Sequence, residues 1–115
     1  MSKTTEQILN HHLESFGGAN IDEVLSDYTE DSVLVDQEKT YKGIVDIRTF
    51  FEWLLGVLPP GSVFEMEKLD VTGEYAYIAW NASSAKTDFL LGTDTFHIVN
   101  GKIVYQSVAV RMNNK

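Results

Sequence analysis

The sequence predicts a single α+β domain in which helices pack on one face of an antiparallel sheet. Three observations lead to this prediction. Apolar residues recur at helical spacing in the first half of the chain and at every second position in most of the second half. A chain of 115 residues can bury one sizeable core and is too short for two. The dipeptide Asn100-Gly101 predicts a two-residue hairpin turn near the C-terminus.

Three helices are predicted in the first half of the chain. The first spans Glu6–Phe16, because apolar side chains return there at helical spacing, and His12 shares its apolar face. Asn20 is the expected N-cap of a short second helix that ends at about Tyr28. The third runs near Asp46–Leu55 and is stopped by the glycine and prolines that follow it.

Strands are predicted at Ser32–Asp36 and throughout the second half of the chain. A polar loop, Gln37–Lys42, follows the short first strand. Four longer strands span Val63–Val71, Tyr75–Ser83, Asp88–Val99 and Lys102–Met112, separated by turn residues. The order α-α-β-α-β-β-β-β, with a late antiparallel meander, is typical of an α+β domain that occupies residues 1–115 without a linker.

The composition restricts the class of partner. The formal net charge is −8 and the basic residues are scattered, so neither nucleic acids nor anionic membranes are expected to bind. The absence of cysteine excludes disulfides and thiolate metal sites, and agrees with a cytoplasmic location. No stretch is apolar enough to span a membrane, and no metal or cofactor motif is recognised. A neutral or apolar small molecule, or another protein, is the expected partner.

Asp94 is the strongest candidate for a functional residue. Alternation in the strand Asp88–Val99 places it on an apolar face. That face carries Leu90, Gly92, Phe96 and Ile98, whereas Thr93, Thr95 and His97 lie on the other. A buried carboxylate costs free energy unless it is paired, hydrogen-bonded or protonated. A functional role and a structural role, as an acid bonded to backbone amides or a tyrosine, are about equally supported.

Two further side chains could take part in chemistry with Asp94. Asp36 ends the short strand, where a solvated loop carboxylate is the ordinary interpretation. His12 lies within the apolar stripe of the first helix, where a core histidine is the ordinary interpretation. Chemistry that depends on Asp and His side chains would be proton transfer rather than covalent or redox catalysis.

Several inward positions could line a pocket. Tyr28 and Phe51 lie on inward helix faces, where core packing is the default. The inward row of the last strand is Val104, Gln106, Val108 and Val110. Gln106 is the polar member of that row. Tyr77 belongs to a strand with bulky side chains on both faces, one of which a second subunit could cover.

Three segments carry a resemblance to a known family. They are Leu25-Ser26-Asp27-Tyr28-Thr29-Glu30-Asp31-Ser32-Val33, then Tyr41-Lys42-Gly43 leading into Ile47-Arg48-Thr49-Phe50-Phe51, and Gly92-Thr93-Asp94-Thr95-Phe96 ending in Asn100-Gly101-Lys102-Ile103. In their order and spacing the chain resembles the NTF2-like superfamily, in particular its ketosteroid isomerase and SnoaL-like polyketide cyclase branch. The resemblance implies a cone-shaped fold with an apolar pocket, and a homodimer packed sheet against sheet.

The resemblance also implies roles for individual residues. Asp36 matches the general base of the isomerases, and Asp94 matches their protonated aspartate, which donates a hydrogen bond to the enolate oxygen. His12 stands where the isomerases have an oxyanion-hole tyrosine. Limonene epoxide hydrolases need an arginine two residues before the strand aspartate, and that residue is Gly92 here, so epoxide hydrolysis is not expected.

Two functions of different classes follow. The first is an isomerase or cyclase that transfers a proton alpha to a carbonyl group of a small molecule, without a cofactor. Its predicted residues are Asp36, Asp94 and His12 as catalytic groups, and Tyr28, Phe51, Tyr77, Gln106 and Val110 as ligand contacts. The second is a non-catalytic ligand-binding or interaction module of the same fold. Catalysis requires both carboxyls to converge on one cavity and one of them to titrate well above an ordinary acid.

Overall fold

Three helices pack on a single six-stranded sheet. The computed structural model describes residues 4–115. The helices are α1 (Thr5–Gly17), α2 (Ile21–Leu25) and α3 (Gly43–Val57). The strands are β1 (Tyr28–Val35), β2 (Thr40–Lys42), β3 (Val63–Thr72), β4 (Tyr75–Ser83), β5 (Thr87–Val99) and β6 (Lys102–Asn114). The predicted α+β class is confirmed, and no helix within the described residues has the length and apolar character to cross a bilayer.

The sheet has the strand order β2-β1-β6-β5-β4-β3. The four long strands form the predicted antiparallel meander. β1 joins β6 in parallel, with Leu34 opposite Gln106. The Gln37 side chain then donates to the carbonyl oxygen of Val110 and accepts a bond from its N–H, both within 2.9 Å. These contacts hold the loop that follows β1, including Asp36, beside the middle of the sheet.

The hydrophobic core lies between α1, α3 and the inward face of the sheet. A capping box starts α1, in which Thr4 and Gln7 satisfy each other's backbone N–H groups. The helix then buries Leu9 against the sheet, and α3 buries Phe51. Complete burial of such side chains typically contributes about 1.5–3 kcal/mol each, so the two helices are held mainly by packing.

The second helix and the first strand differ from their predicted bounds. α2 ends at Leu25 rather than near Tyr28, and β1 begins at Tyr28 rather than at Ser32. The carbonyl oxygen of Asp27 accepts a bond from the N–H of Ile103 at 2.7 Å, which draws the chain into the sheet directly after the helix. Part of the predicted loop also pairs with β1 and forms β2.

Two bulges change which side chains face inward. Between Phe89 and Leu91 the pairing of β5 with β6 shifts, so Phe89 is buried and Leu90 is 49% exposed. A second shift at His97 buries Ile103 in place of the predicted Val104. The expectation that Leu90 shares a face with Asp94 is therefore wrong, because a bulge adds one residue and breaks the period of two.

A histidine outside the predicted site connects α1 to the start of β1. Nδ1 of His11 lies 2.8 Å from both carboxylate oxygens of Asp27, and its Nε2 lies 3.2 Å from Glu23. These hydrogen bonds, led by the one to Asp27, raise the pKa of His11 above its ordinary value. Since Asp27 is buried and His11 is mostly covered, the contact is less screened than a surface ion pair.

Substitution of His11 by Gln should destabilise the fold mainly at low pH. The folded-state pKa of His11 is raised, so its stabilising contribution is complete below the unfolded pKa and is lost as pH rises through the folded one. We expect H11Q to lower the free energy of unfolding by about 1 kcal/mol at pH 5.5 and by clearly less at pH 9, measured by urea denaturation. H97Q, at an exposed pair with Glu74, is the control. Equal losses at both pH values would contradict this role.

Candidate functional site

Asp94 lies at the centre of a buried polar chain on the inward face of the sheet. It is 8% exposed. The Trp80 indole N–H donates to Oδ1 of Asp94, and the Gln106 side-chain N–H donates to Oδ2, each at 2.8 Å. Behind them the Tyr28 hydroxyl donates to Oε1 of Gln106. The carboxyl group is therefore held in one orientation by donors from both neighbouring strands.

The strand register brings these donors together. Asp94 lies directly opposite Ile78 on β4 and Val108 on β6, so the residues two positions away, Trp80 and Gln106, are its diagonal neighbours. The Trp80 indole reaches Asp94 by lying across Gly92. A Cβ at position 92 would stand 2.2 Å from the indole ring, so a side chain there would displace the tryptophan.

The ionisation of Asp94 is set by two opposing effects. Burial raises the pKa of the carboxyl, because the charged form loses its hydration. The hydrogen bonds from Trp80 and Gln106 favour the charged form and lower the pKa. Burial is the larger effect, and the resulting pKa is about 6. Burial also raises the pKa of Tyr28 well above its ordinary value, so its hydroxyl remains a donor to Gln106.

A first cavity of about 270 Å³ contains both predicted carboxyls, Asp36 and Asp94. Oδ1 of Asp36 accepts the backbone N–H groups of Glu38 and Lys39 at 2.8 and 2.9 Å, which fixes the turn after β1. Its Oδ2 lies 3.4 Å from the hydroxyl of Tyr41. Burial, followed by the charge of Asp36, raises the pKa of Tyr41, so this hydroxyl stays protonated at the cavity wall.

A second cavity of about 280 Å³ lies between α1, α3 and strands β3 and β4. Trp80 and Asp94 border both cavities, whereas His12 borders the second cavity and not the first. His12 is 4% exposed, and burial lowers its pKa to about 4, so the ring is neutral at physiological pH. Its Nδ1 has no hydrogen-bond partner among the described residues.

The structure thus separates the predicted site residues into three groups. Asp36, Asp94 and Val110 line the first cavity, while His12 and Phe51 join Asp94 around the second. Tyr28 and Gln106 line neither cavity and instead support Asp94 from behind. Tyr77 also lines neither cavity. It pairs with Thr95 on the outer face of the sheet, between the inward residues Ala76 and Ile78.

Two residues of the site, Trp80 and Tyr41, were not predicted as site residues from the sequence. Trp80 shares an inward row with Ala76 and Ile78, and periodicity alone cannot separate a core tryptophan from one that orients an acid. The available signal was the glycine opposite it in the hairpin, because a large residue opposite Gly92 has room to cross the strand. Tyr41 lies in a segment that was expected to be a loop, so its inward direction had no periodic signal.

A family model for the SnoaL-like domain matches residues 9–106 of this chain. No curated protein sequence matches this chain at a significant level. The family model therefore supports the resemblance that the sequence segments indicated.

Several solved structures have the same fold. An epoxide hydrolase/cyclase-like enzyme of salinomycin pyran-ring formation, SalBIII, matches with a TM-score of 0.79 and 15% identity, over 96% of this chain and 95% of that chain. A protein of Kribbella flavida, provisionally assigned as a ketosteroid isomerase, matches with a TM-score of 0.78 and 16% identity, over 96% of this chain and 82% of that chain. A protein of Sinorhizobium meliloti, provisionally assigned as a polyketide cyclase, matches with a TM-score of 0.74 and 19% identity, over 89% of this chain and 93% of that chain. At these identities the likeness shows the fold, and it confirms the predicted NTF2-like cone.

Replacing Asp94 with Asn should remove a pH-dependent loss of stability. The unfolded carboxyl is already ionised at pH 5, whereas the folded one titrates at about 6, so stability present at low pH is lost as pH rises through that value. We expect the wild type to lose about 1 kcal/mol relative to D94N between pH 5 and pH 7.5, measured by urea denaturation. D31N, at an exposed aspartate of β1, is the matched control and should follow the wild type. A pH-independent difference for D94N would show that Asp94 is ionised throughout.

Proposed function

This chain belongs to the SnoaL-like domain family, and we propose that it transfers a proton at a carbon alpha to the carbonyl group of a small apolar molecule bound in the first cavity. One observation carries the proposal. Asp94 is a buried carboxyl with a pKa of about 6, and it borders a cavity that also contains Asp36. A proton-transfer group is most effective when its pKa lies near the working pH, and few carboxyls meet that condition without such an environment.

Asp94 in its ionised form is the proposed proton acceptor. It takes a proton from the carbon next to the carbonyl, and the electron pair of that C–H bond forms an enolate. The protonated Asp94 then returns the proton to another carbon of the conjugated system, which gives the isomer and regenerates the carboxylate. The N–H donors of Trp80 and Gln106 keep the carboxyl in place through both steps.

The contacts favour a different division of roles from the one that the resemblance implied. That assignment made Asp36 the base and a protonated Asp94 the oxyanion donor. Asp36 shapes the turn after β1 through the two backbone N–H groups on its Oδ1, whereas Asp94 is the carboxyl whose pKa burial raises to about 6. We assign oxyanion stabilisation to the hydroxyl of Tyr41, whose bond to Asp36 is long at 3.4 Å and can give way to a ligand. One such donor is typically worth about 2.7–4 kcal/mol.

A homodimer packed through the outer face of the sheet is part of the same proposal. That face carries a row of small residues, Ala79, Thr93 and Ala109, beside Tyr75 and Tyr105, which are 55% and 42% exposed. A row of small side chains lets a second sheet approach closely. In this arrangement Tyr77 would contact the partner rather than the ligand. We also retain the cytoplasmic location expected from the sequence.

The proton-transfer proposal can be tested with cyclohex-3-enone, whose isomerisation to the conjugated ketone is followed by ultraviolet absorbance. We expect kcat/KM to rise with pH and level off above about 6, because the ionised Asp94 is the active form. D94N should lower kcat/KM by at least about 100-fold, and D36N should lower it less. The exposed control D31N should leave kcat/KM unchanged.

Two results would overturn the proton-transfer proposal. A rate that falls as pH rises through about 6 would mean that the protonated Asp94 is required and would restore Asp36 as the base. Saturable binding of the ketone without turnover at any pH would favour the alternative, a non-catalytic ligand-binding module.

The dimer can be tested by placing a charge at the centre of the outer face. A109R should convert a dimer into a folded monomer, as measured by sedimentation equilibrium, because a buried unpaired guanidinium is strongly unfavourable in an interface. T40R, at an exposed position of β2, is the control. A wild-type protein that sediments as a monomer at 100 µM would contradict the proposed interface.

A further inference from the structure

We propose that Tyr28 is a positioning residue for the proton-transfer site, because its hydroxyl holds the Gln106 amide with an N–H group toward Asp94 and thereby favours the ionised carboxyl. The inference rests on the proposed function, in which the ionised Asp94 accepts the proton. Tyr28 and Gln106 are 3% and 0% exposed, and neither lines a cavity, so a bound ligand would not touch them. Any effect of Tyr28 on the chemistry must therefore pass through its neighbours.

The sheet brings the tyrosine hydroxyl to the amide. Tyr28 is the first residue of β1 and lies opposite Ile103 on β6, three residues before Gln106. Its ring packs against the rings of His12 and Phe51, both at a centroid distance of 5.9 Å, and these contacts hold it in the core. The hydroxyl has one hydrogen-bond partner among the described residues, Oε1 of Gln106.

The Gln106 amide can take two orientations, and they favour opposite charge states of Asp94. With an N–H group toward Asp94, as observed at 2.8 Å, the amide donates a hydrogen bond and stabilises the carboxylate. After a half-turn the amide oxygen would face Asp94, and that oxygen could accept a hydrogen bond only from the protonated carboxyl. The orientation of the amide and the proton on Asp94 are therefore coupled.

Tyr28 favours the first of these orientations. Its O–H donates to the amide oxygen there, whereas in the turned orientation the amide NH₂ would face the hydroxyl and the buried O–H would lose its acceptor, which costs free energy. Burial, followed by the charges of Asp94 and Asp27, raises the pKa of Tyr28 well above its ordinary value. The hydroxyl therefore keeps its proton while Asp94 titrates, and it acts as a fixed donor rather than as a proton source.

Other titratable groups share the two cavities with Asp94. They are Asp36, Glu38, Tyr41, His12 and Glu65, and the residues that α3 adds to the cavity walls are apolar or aromatic. Burial lowers the pKa of His12 to about 4, so its ring stays neutral above pH 5. A substitution at Tyr28 leaves all of these groups in place. A change in the titration of Asp94 would therefore report on the hydrogen-bond chain.

Titration of the Asp94 carboxyl by ¹³C NMR in Y28F tests the inference. Phenylalanine keeps the ring contacts and removes the hydroxyl, so the amide can turn and the midpoint of the titration should rise by about one pH unit. Y105F removes an exposed hydroxyl from the outer face of β6 and should leave the midpoint unchanged. The proposal would be overturned by a midpoint in Y28F equal to that of the wild type.

A second substitution shows whether Tyr28 acts through Gln106. Q106M removes the amide and should raise the midpoint by itself, because it deletes a donor to the carboxylate. In the Q106M background, Y28F should add no further shift. An equal shift in both backgrounds would mean that Tyr28 acts on Asp94 directly, contrary to the proposal.

A chemical variant replaces Y28F if that protein does not fold. 3-Fluorotyrosine in place of Tyr28 keeps the shape of the ring and makes the hydroxyl more acidic, and therefore a stronger donor to Gln106. The midpoint of the Asp94 titration should then fall below the wild-type value. An unchanged or higher midpoint would argue against the proposal.

The pH dependence of kcat/KM for cyclohex-3-enone connects this role to catalysis. The inflection near pH 6 should move upward in Y28F by the same amount as the NMR midpoint. A lower rate at every pH, with the inflection unmoved, would assign Tyr28 a structural role alone and overturn the proposal. If the wild type does not turn the ketone over, the NMR titrations still decide the role of Tyr28, and only the proton-transfer proposal fails.

Discussion

The hydrogen bond from the Trp80 indole to Asp94 is the contact on which the rest of the site depends. It requires the register of β4 against β5 and a glycine at position 92, because any Cβ there would occupy the space of the indole. The same side chain borders both cavities, as do Leu54 and Asp94. One side chain therefore fixes the orientation of the buried acid, contributes to its ionisation and determines the shape of the space on either side.

Stability and chemistry oppose each other at this position. Burial of Asp94 penalises its charged form, and the donors on Trp80 and Gln106 recover part of that penalty. If hydrogen bonds fully offset the cost of burial, the pKa of the carboxyl would lie far below neutral pH. Without these hydrogen bonds, its pKa would lie far above the present value. The intermediate balance places the pKa at about 6, where a carboxyl can both accept and release a proton. Nδ1 of His12 is buried without a hydrogen-bond partner among the described residues, which adds a further unfavourable polar group to the inward face.

Much of the fold could be predicted from the sequence, since helical spacing and strand alternation are local properties. The inward position of Asp94 was predicted from four residues of its face, of which Gly92, Phe96 and Ile98 are buried and Leu90 is exposed. The bulge at Leu90 could not be predicted, because it arises from pairing with β6. Asp36 and Asp94 were linked only through a family resemblance. Periodicity also could not show that His12 and Asp36 border different cavities, because it assigns residues to a face of an element and does not locate the spaces between elements.

The central claim is that the environment of Asp94 holds its pKa near 6, with Trp80 lowering a value that burial raises. Titration of the Asp94 side-chain carboxyl by ¹³C NMR, in the wild type and in W80F, measures this directly. A wild-type pKa of about 6 is expected, with a higher value in W80F because one donor to the carboxylate is lost. A pKa near the ordinary aspartate value of about 4 in both proteins would contradict it.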